Sequence, residues 1–299
     1  MTTNNGLLLI DKPRGVTSHD VVARVRKLLN EQRVGHAGTL DPMATGLLVL
    51  AVGPSTRLLR FAQSETKRYC GVVTFGVATD SLDADGAVVE RREVPAFSTD
   101  EVNDVARRML GRQQQTPPMV SALKVDGRRL HALAREGVVI ERAPRDVTIE
   151  GLSLEPSALP GEWSFDVTCS VGTYVRVLLA DLAAHLNTIG HLSALRRTQS
   201  GDHRVDDAVT LDELELHVQH GTTVLRAPRE FVVHLDSVVV DREQALHIRQ
   251  GKRVLLDHVA DGEIAAISER GNLVAVLRPR GEVWQPTVVL PEEDADARE

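Results

Sequence analysis

Aromatic residues and cysteines are scarce in this sequence. Five Phe, two Trp and two Tyr make up 3% of its 299 residues. Cys70 and Cys169 stand 99 positions apart with no CxxC, so they give no metal or redox signal. They read as small apolar packing residues in a reducing compartment. The 11 His are scattered, with no HExxH and no His pair joined to cysteines, which disfavours a metal enzyme. No GK[ST] follows the glycine-rich loop, so it is not a P-loop. No apolar run reaches the roughly 18 residues of a membrane helix, and the start MTTNNGLLLIDKPRG lacks a signal peptide's basic n-region. Positive charge is also short: 35 Lys and Arg face 42 Asp and Glu, for a net charge of −7. Bulk charge therefore does not suggest a small basic nucleic-acid binder.

What is present is patterned. The chain is 42% hydrophobic, ample for a packed core, and long enough for two domains or one large domain with an appendage. Gly6–Asp11 reads as a buried strand. Thr17 and Asp20 fit a capping box that opens a helix carrying Val21, Val22, Val25, Leu28 and Leu29 at helical spacing. Leu47–Val52, Tyr69–Val77, 146–155 and 163–171 read as strands, and Glu101–Leu110 and Val177–Leu186 as helices. TDSLDADG at 79–86 is an acidic turn. A boundary falls near 202–230. Beyond it, strands over Phe231–Val240, Glu263–Ile267 and Asn272–Leu277 predict a small β-rich module at 231–299.

Charge is distributed unevenly. Residues 1–70 hold ten Lys and Arg against five Asp and Glu, net +5, and 107–145 hold nine against three, net +6. Residues 202–215 hold one against six, net −5. Two basic regions that also carry a glycine-rich loop and a polar excursion point to a polyanion site. In that loop, GHAGTLDPMATG at 35–46, Pro42 biases Asp41 toward an extended conformation that can hold its carboxylate rigidly over a cleft. The only two Tyr, Tyr69 and Tyr174, lie beside cations. If 174 and 176 share a strand, Tyr174 and Arg176 face the same way and offer a stacking surface with a charge.

These stretches carry a resemblance. GHAGTLDPMATGLL resembles the signature loop of the TruB family of tRNA pseudouridine synthases. DKPRGVTSHD at 11–20, KRYCGVVTFGVATDSLDADG at 67–86, PPMVSALKVDGRRLHALAREG at 117–137, CSVGTYVRVLLADL at 169–182 and HLSALRRTQSG at 191–201 match in order. The resemblance implies an α+β pseudouridine synthase fold over 1–230, a mixed, largely antiparallel sheet flanked by helices. A small PUA-like β domain would follow at 231–299. It implies that Asp41 is the catalytic aspartate, Arg176 its partner, and Tyr69 the residue that stacks on the target base and takes part in a late proton transfer. It places His36 near the flipped base, with Tyr174 and Leu195 lining the pocket.

Lys12 is expected at the substrate. Arg14, Lys124, Arg128 and Arg129 are expected on the RNA backbone with Arg24, Arg26, Lys27 and Arg135, and 117–145 forms an excursion closing on the tRNA T arm. The implied reaction turns a T-loop uridine, position 55, into pseudouridine. It needs no cofactor and no metal. Asp41 could attack C1′, attack C6 of uracil, or act as a base at C2′. Arg176 is expected to hold its pKa down. The implied enzyme is a cytoplasmic monomer with no membrane contact, with a possible tRNA-folding role. The alternatives are a guide-dependent RNA pseudouridine synthase or an RNA chaperone without dominant catalysis.

Overall fold

The longest apolar run lies at the centre of the structure. Thr45–Val52 (TGLLVLAV) is buried from Gly46 to Val52, as befits a strand covered on both faces. The computed structural model describes residues 4–63, 66–119, 124–125, 128–129 and 140–292. The first elements are β1 (Gly6–Lys12), α1 (Ser18–Leu29), β2 (Val34–His36), β3 (Thr45–Val52), α2 (Leu59–Gln63), β4 (Lys67–Phe75), β5 (Val77–Thr79) and β6 (Val88–Arg91). Next come α3 (Thr99–Arg108), β7 (Gly111–Gln115), β8 (Lys124–Val125), β9 (Arg128–Arg129), β10 (Arg145–Pro156), β11 (Glu162–Cys169), α4 (Val175–His185) and β12 (Gly190–Ser200). The chain continues through β13 (His203–Arg204), α5 (Leu211–Gln219), β14 (Ser237–Val240), α6 (Arg242–Arg249), β15 (Ile264–Ser268), β16 (Leu273–Arg280) and β17 (Val283–Val289).

The main sheet runs β1-β3-β12-β4-β11-β10-β7, with β2 also on β3 and β13 on β12. Every pairing in it is antiparallel except β12 with β3, where Arg196 and Arg197 meet Thr45 and Gly46. Further along, the same edge of β3 pairs with β2, from Val34 opposite Val52 to His36 opposite Leu50. The 37–44 loop therefore leaves the sheet where this edge passes from one partner to the other.

Alternate residues of β1 and β3 enter different cores, because side chains alternate across a strand. Leu8, Ile10, Leu48 and Leu50 pack with Val21, Val22 and Val25 of α1 and with Leu211 and Leu214 of α5. Leu7, Leu9, Leu47 and Val49 pack with Phe231, Ala265, Val276, Val288 and Leu290. The second sheet, β14-β15-β16-β17, is thus seated on the first through a shared core. A third core joins Val73, Phe75 and Phe165 to α3 and α4. No helix among the described residues is long and apolar enough to cross a membrane.

The Thr17–Asp20 capping box is present. Several boundaries differ from the sequence reading. β4 ends at Phe75 because Gly76 turns left-handed at φ 82°. Of 231–240 only Ser237–Val240 is strand, and the sequence reading missed α6 and β17. Helix α4 starts at Val175, so Tyr174 is its N-cap and Arg176 lies in its first turn. The shared-strand argument for Tyr174 and Arg176 therefore fails. The two come together because the chain turns into the helix between them.

Candidate active site

The loop that carries Asp41 is pinned on both sides of it. Leu40 N–H donates to Ser18 Oγ at 2.8 Å, and Ser18 Oγ donates to Leu40 O at 3.1 Å. Gly15 N–H donates to Pro42 O at 2.8 Å. The turn between β1 and α1 thus fixes the residues flanking the aspartate. Gly46, at φ 98°, closes the loop against β12; a Cβ there would lie 2.3 Å from Arg197 O. Beneath it, the buried Arg197 donates from Nε to Leu47 O at 2.7 Å and from Nη2 to Gly38 O at 3.2 Å.

Arg176 reaches the cleft from the start of α4. Its Nη2 stands 3.2 Å from Asp41 Oδ2. Its Nη1 stands 3.1 Å from Asp83 Oδ2 and 3.3 Å from Ser81 O. Asp83 comes from the acidic turn, where its Oδ1 accepts Ser81 Oγ at 2.6 Å and Asp85 N–H at 3.2 Å. Leu192 N–H donates to Leu82 O at 3.0 Å and fastens that turn to β12. The acidic turn at 79–86 thus supplies a buried partner for the site arginine.

The electrostatics also depart from expectation. Asp41 was expected to be held low by Arg176, yet its pKa is raised. Burial is the largest cause, Arg176 opposes it, and the Asp83 and Asp85 carboxylates reinforce it. Asp41 still keeps 38% of its side-chain surface open to the cleft. Burial also raises the Tyr69 phenol, against a smaller lowering by Arg197, so Tyr69 stays neutral.

Asp41, Tyr69, Tyr174, Arg176 and Leu195 line one cavity of about 310 Å³, together with Lys67, Arg145 and Arg197. Gln115, itself buried, holds the Tyr174 backbone from both sides: its Oε1 accepts Tyr174 N–H at 2.7 Å and its Nε2 donates to Tyr174 O at 3.1 Å.

Other expected residues lie elsewhere. His36 ends β2 at the root of the loop, outside that cavity's lining, and burial lowers its pKa. Lys12 is 0% exposed and donates to Val16 O at 2.7 Å, Pro13 O at 3.0 Å and Pro42 O at 3.4 Å. Its ammonium is taken up by these three carbonyls, so here it supports the loop from behind instead of presenting free donors to the substrate, unlike the substrate contact expected from sequence. Burial pushes its pKa down to about 8. Arg24, expected on phosphates, is paired with Asp212 and Glu215, and Arg26 donates to Val34 O at 2.9 Å. Arg14 and Lys27 are exposed. In the excursion, Lys124–Val125 pairs antiparallel with Arg128–Arg129. The side chains of Lys124, Arg128 and Arg129, and all of Arg135, lie outside what is described.

Sequence reasoning missed Asp83, Ser18, Gln115 and Arg197 as residues that build the site. Asp83 and Ser18 sit inside quoted motifs, but nothing local says which Asp of TDSLDADG turns inward. Among the described residues, no group of three or more His, Cys, Asp or Glu is placed to hold a metal ion.

Comparison with known proteins gives the family. Residues 26–175 match the family model of the TruB family pseudouridylate synthase (N terminal domain), and 176–247 match the tRNA pseudouridylate synthase B C-terminal domain. The junction between the two matches falls inside α4, so it is not a break in the fold. The chain is 40% identical over 286 residues to tRNA pseudouridine synthase B of Syntrophotalea carbinolica, covering 95% of this chain and 92% of that protein. It is 43% identical over 280 residues to the protein of that name from Rhodococcus jostii, covering 92% and 90%. Among solved structures, a Cbf5-Nop10-Gar1 complex superposes with a TM-score of 0.73 at 23% identity, over 97% of this chain and 86% of that one, a likeness of fold.

Proposed function

This chain belongs to the TruB family of tRNA pseudouridine synthases, and from that premise we propose that it isomerises the T-loop uridine at position 55 of tRNA to pseudouridine, with Asp41 as the catalytic carboxylate. The observation that carries this reading is the meeting of Asp41, held by Arg176, with Tyr69, Tyr174 and Leu195 around one base-sized cavity. A uridine must leave its stack to enter, at a cost of a few kcal/mol. Stacking on the Tyr69 ring returns about 1–3 kcal/mol.

Within the cavity, the C1′–N1 bond breaks, the uracil turns, and C1′–C5 forms, with the C5 proton lost and N1 protonated. Asp41 acts ionised, as nucleophile or base, and Arg176 orients it and stabilises its charge. Tyr69, a neutral phenol beside the carboxylate, donates or relays a proton late in the sequence. The partner is the tRNA T arm, gripped by the 117–145 excursion and exposed cations such as Arg14. The enzyme works as a cytoplasmic monomer without metal. A guide-dependent mode is not favoured, because relatives covering over 90% of the chain are named for tRNA.

The test is to incubate purified protein with an unmodified tRNA transcript and map pseudouridine chemically. Product at the T-loop uridine is expected, and its absence overturns the proposal.

A further inference from the structure

One guanidinium in the cleft has two buried nitrogens with no acceptor among the described residues. Arg145 opens β10 directly opposite Gln115 of β7. Residues opposite each other share a face of the sheet, and both side chains meet Tyr174. Gln115 clasps its backbone, and the Arg145 guanidinium lies over its ring, Cζ 4.5 Å from the centroid. Gly172, at φ 86°, leaves room for this; a Cβ there would stand 3.4 Å from Arg145 Nη1.

The Nε and Nη2 atoms of Arg145 are buried and have no hydrogen-bond partner among the described residues. Together they form the edge of the guanidinium plane that grips two oxygens of one anion side by side. Nearby carboxylates are engaged elsewhere. Asp146 accepts Arg112 Nη2 at 2.6 Å and also Gln114 Nε2, while Asp41 is held by Arg176. A buried donor pair without an acceptor is costly, and a bound oxyanion offsets that cost. The face of Tyr174 under Arg145 is also closed to a base, so the cation stands beside the stacked nucleotide.

We propose that Arg145 binds a phosphodiester of the RNA strand, the linkage adjoining the nucleotide in the pocket, through Nε and Nη2 together. This rests on the reading of the chain as an enzyme acting on RNA. A phosphodiester is the one group repeated along that strand that offers two anionic oxygens to such an edge.

The experiment measures binding of a synthetic T-arm stem-loop in which each loop phosphodiester is replaced in turn by an uncharged methylphosphonate. For the wild type, one replacement beside the target uridine raises Kd about tenfold. Arg145→Gln raises Kd about tenfold on the unmodified RNA and is indifferent to that replacement. Its plot of log affinity against log salt is shallower by about 0.7–0.9. Arg145→Lys keeps the charge and the salt slope but binds between the two. KM rises more than kcat falls.

A wild-type salt slope in Arg145→Gln, with wild-type sensitivity at every linkage, overturns the proposal. A fall in kcat alone, as expected if Arg145 only props Tyr174, overturns it as well. If the wild type makes no pseudouridine yet the coupling is seen, the isomerase reading fails and the phosphate site stands. Normal turnover without coupling gives the reverse.

Discussion

Arg24 and Arg176 each face two carboxylates, one trio on the surface and one in the cleft. Arg24 meets Asp212 at 3.3 Å and Glu215 at 2.7 Å, with the three side chains 46%, 89% and 42% exposed. Arg176 meets Asp41 at 3.2 Å and Asp83 at 3.1 Å, with Arg176 and Asp83 only 4% and 6% exposed. On the surface, water competes for every charge and such a pair contributes about 0–1 kcal/mol. In the cleft, Arg176 and Asp83 have lost their water, so each depends on the other, while Asp41 keeps one side open. Removing one partner of a buried pair costs about 3–5 kcal/mol. The same residue types thus fasten a helix in one place and hold the cleft carboxylate Asp41 in the other.

The sharpest test of the cleft trio is Asp41→Asn. Turnover on tRNA should fall about 10³-fold or more, while RNA binding persists. Melting temperature should not fall, because the change removes one of two carboxylates contesting one guanidinium. Arg176→Met should cost about 3–5 kcal/mol in urea unfolding at neutral pH, against about 0–1 kcal/mol for Arg24→Met. Equal losses would break the comparison. Gly46→Ala supplies an uncharged control: its Cβ would meet Arg197 O at 2.3 Å, at a cost of about 1–3 kcal/mol that does not change with pH.

A separate test lies in pH linkage. Because the folded pKa of Asp41 is raised, the folded state holds its proton above the ordinary aspartate value. Its contribution to stability is therefore complete in acid and is lost as pH rises through the raised pKa. The acid limb of kcat/KM should likewise lie above the ordinary aspartate range, near 4. Lys12 has the opposite linkage. Its pKa falls from 10.5 to about 8, so stability rises with pH across that window, and Lys12→Met abolishes the rise.

Regional charge was only half informative. The excess of +5 over 1–70 is largely consumed inside the molecule. Arg24 pairs with the acidic 202–215 stretch, Arg60 reaches Glu263 at 2.6 Å, Arg57 donates to Val289 O at 3.0 Å, and Lys12 is buried. Sequence separations of 188 and 203 residues hid these partners. The loop that carries Asp41 was legible because its glycines, Pro42 and Asp41 are adjacent in the chain. Its supports were not, because Ser18, Arg197 and Asp83 reach it from three other segments.

By itself, the sequence determined the elements whose causes are local. These are the capping box at Thr17 and Asp20, the continuous apolar run of β3, and the loop that must turn at Gly46. The motifs also determined which residues belong near one another. Only the tertiary structure decided what each charge does there. Arg24 and Arg176 look alike in sequence, as do Asp83 and Asp212, and no local pattern tells them apart. Their roles follow from how much water each keeps and which carboxylate or carbonyl, often 100 or more residues away, is brought within hydrogen-bond reach.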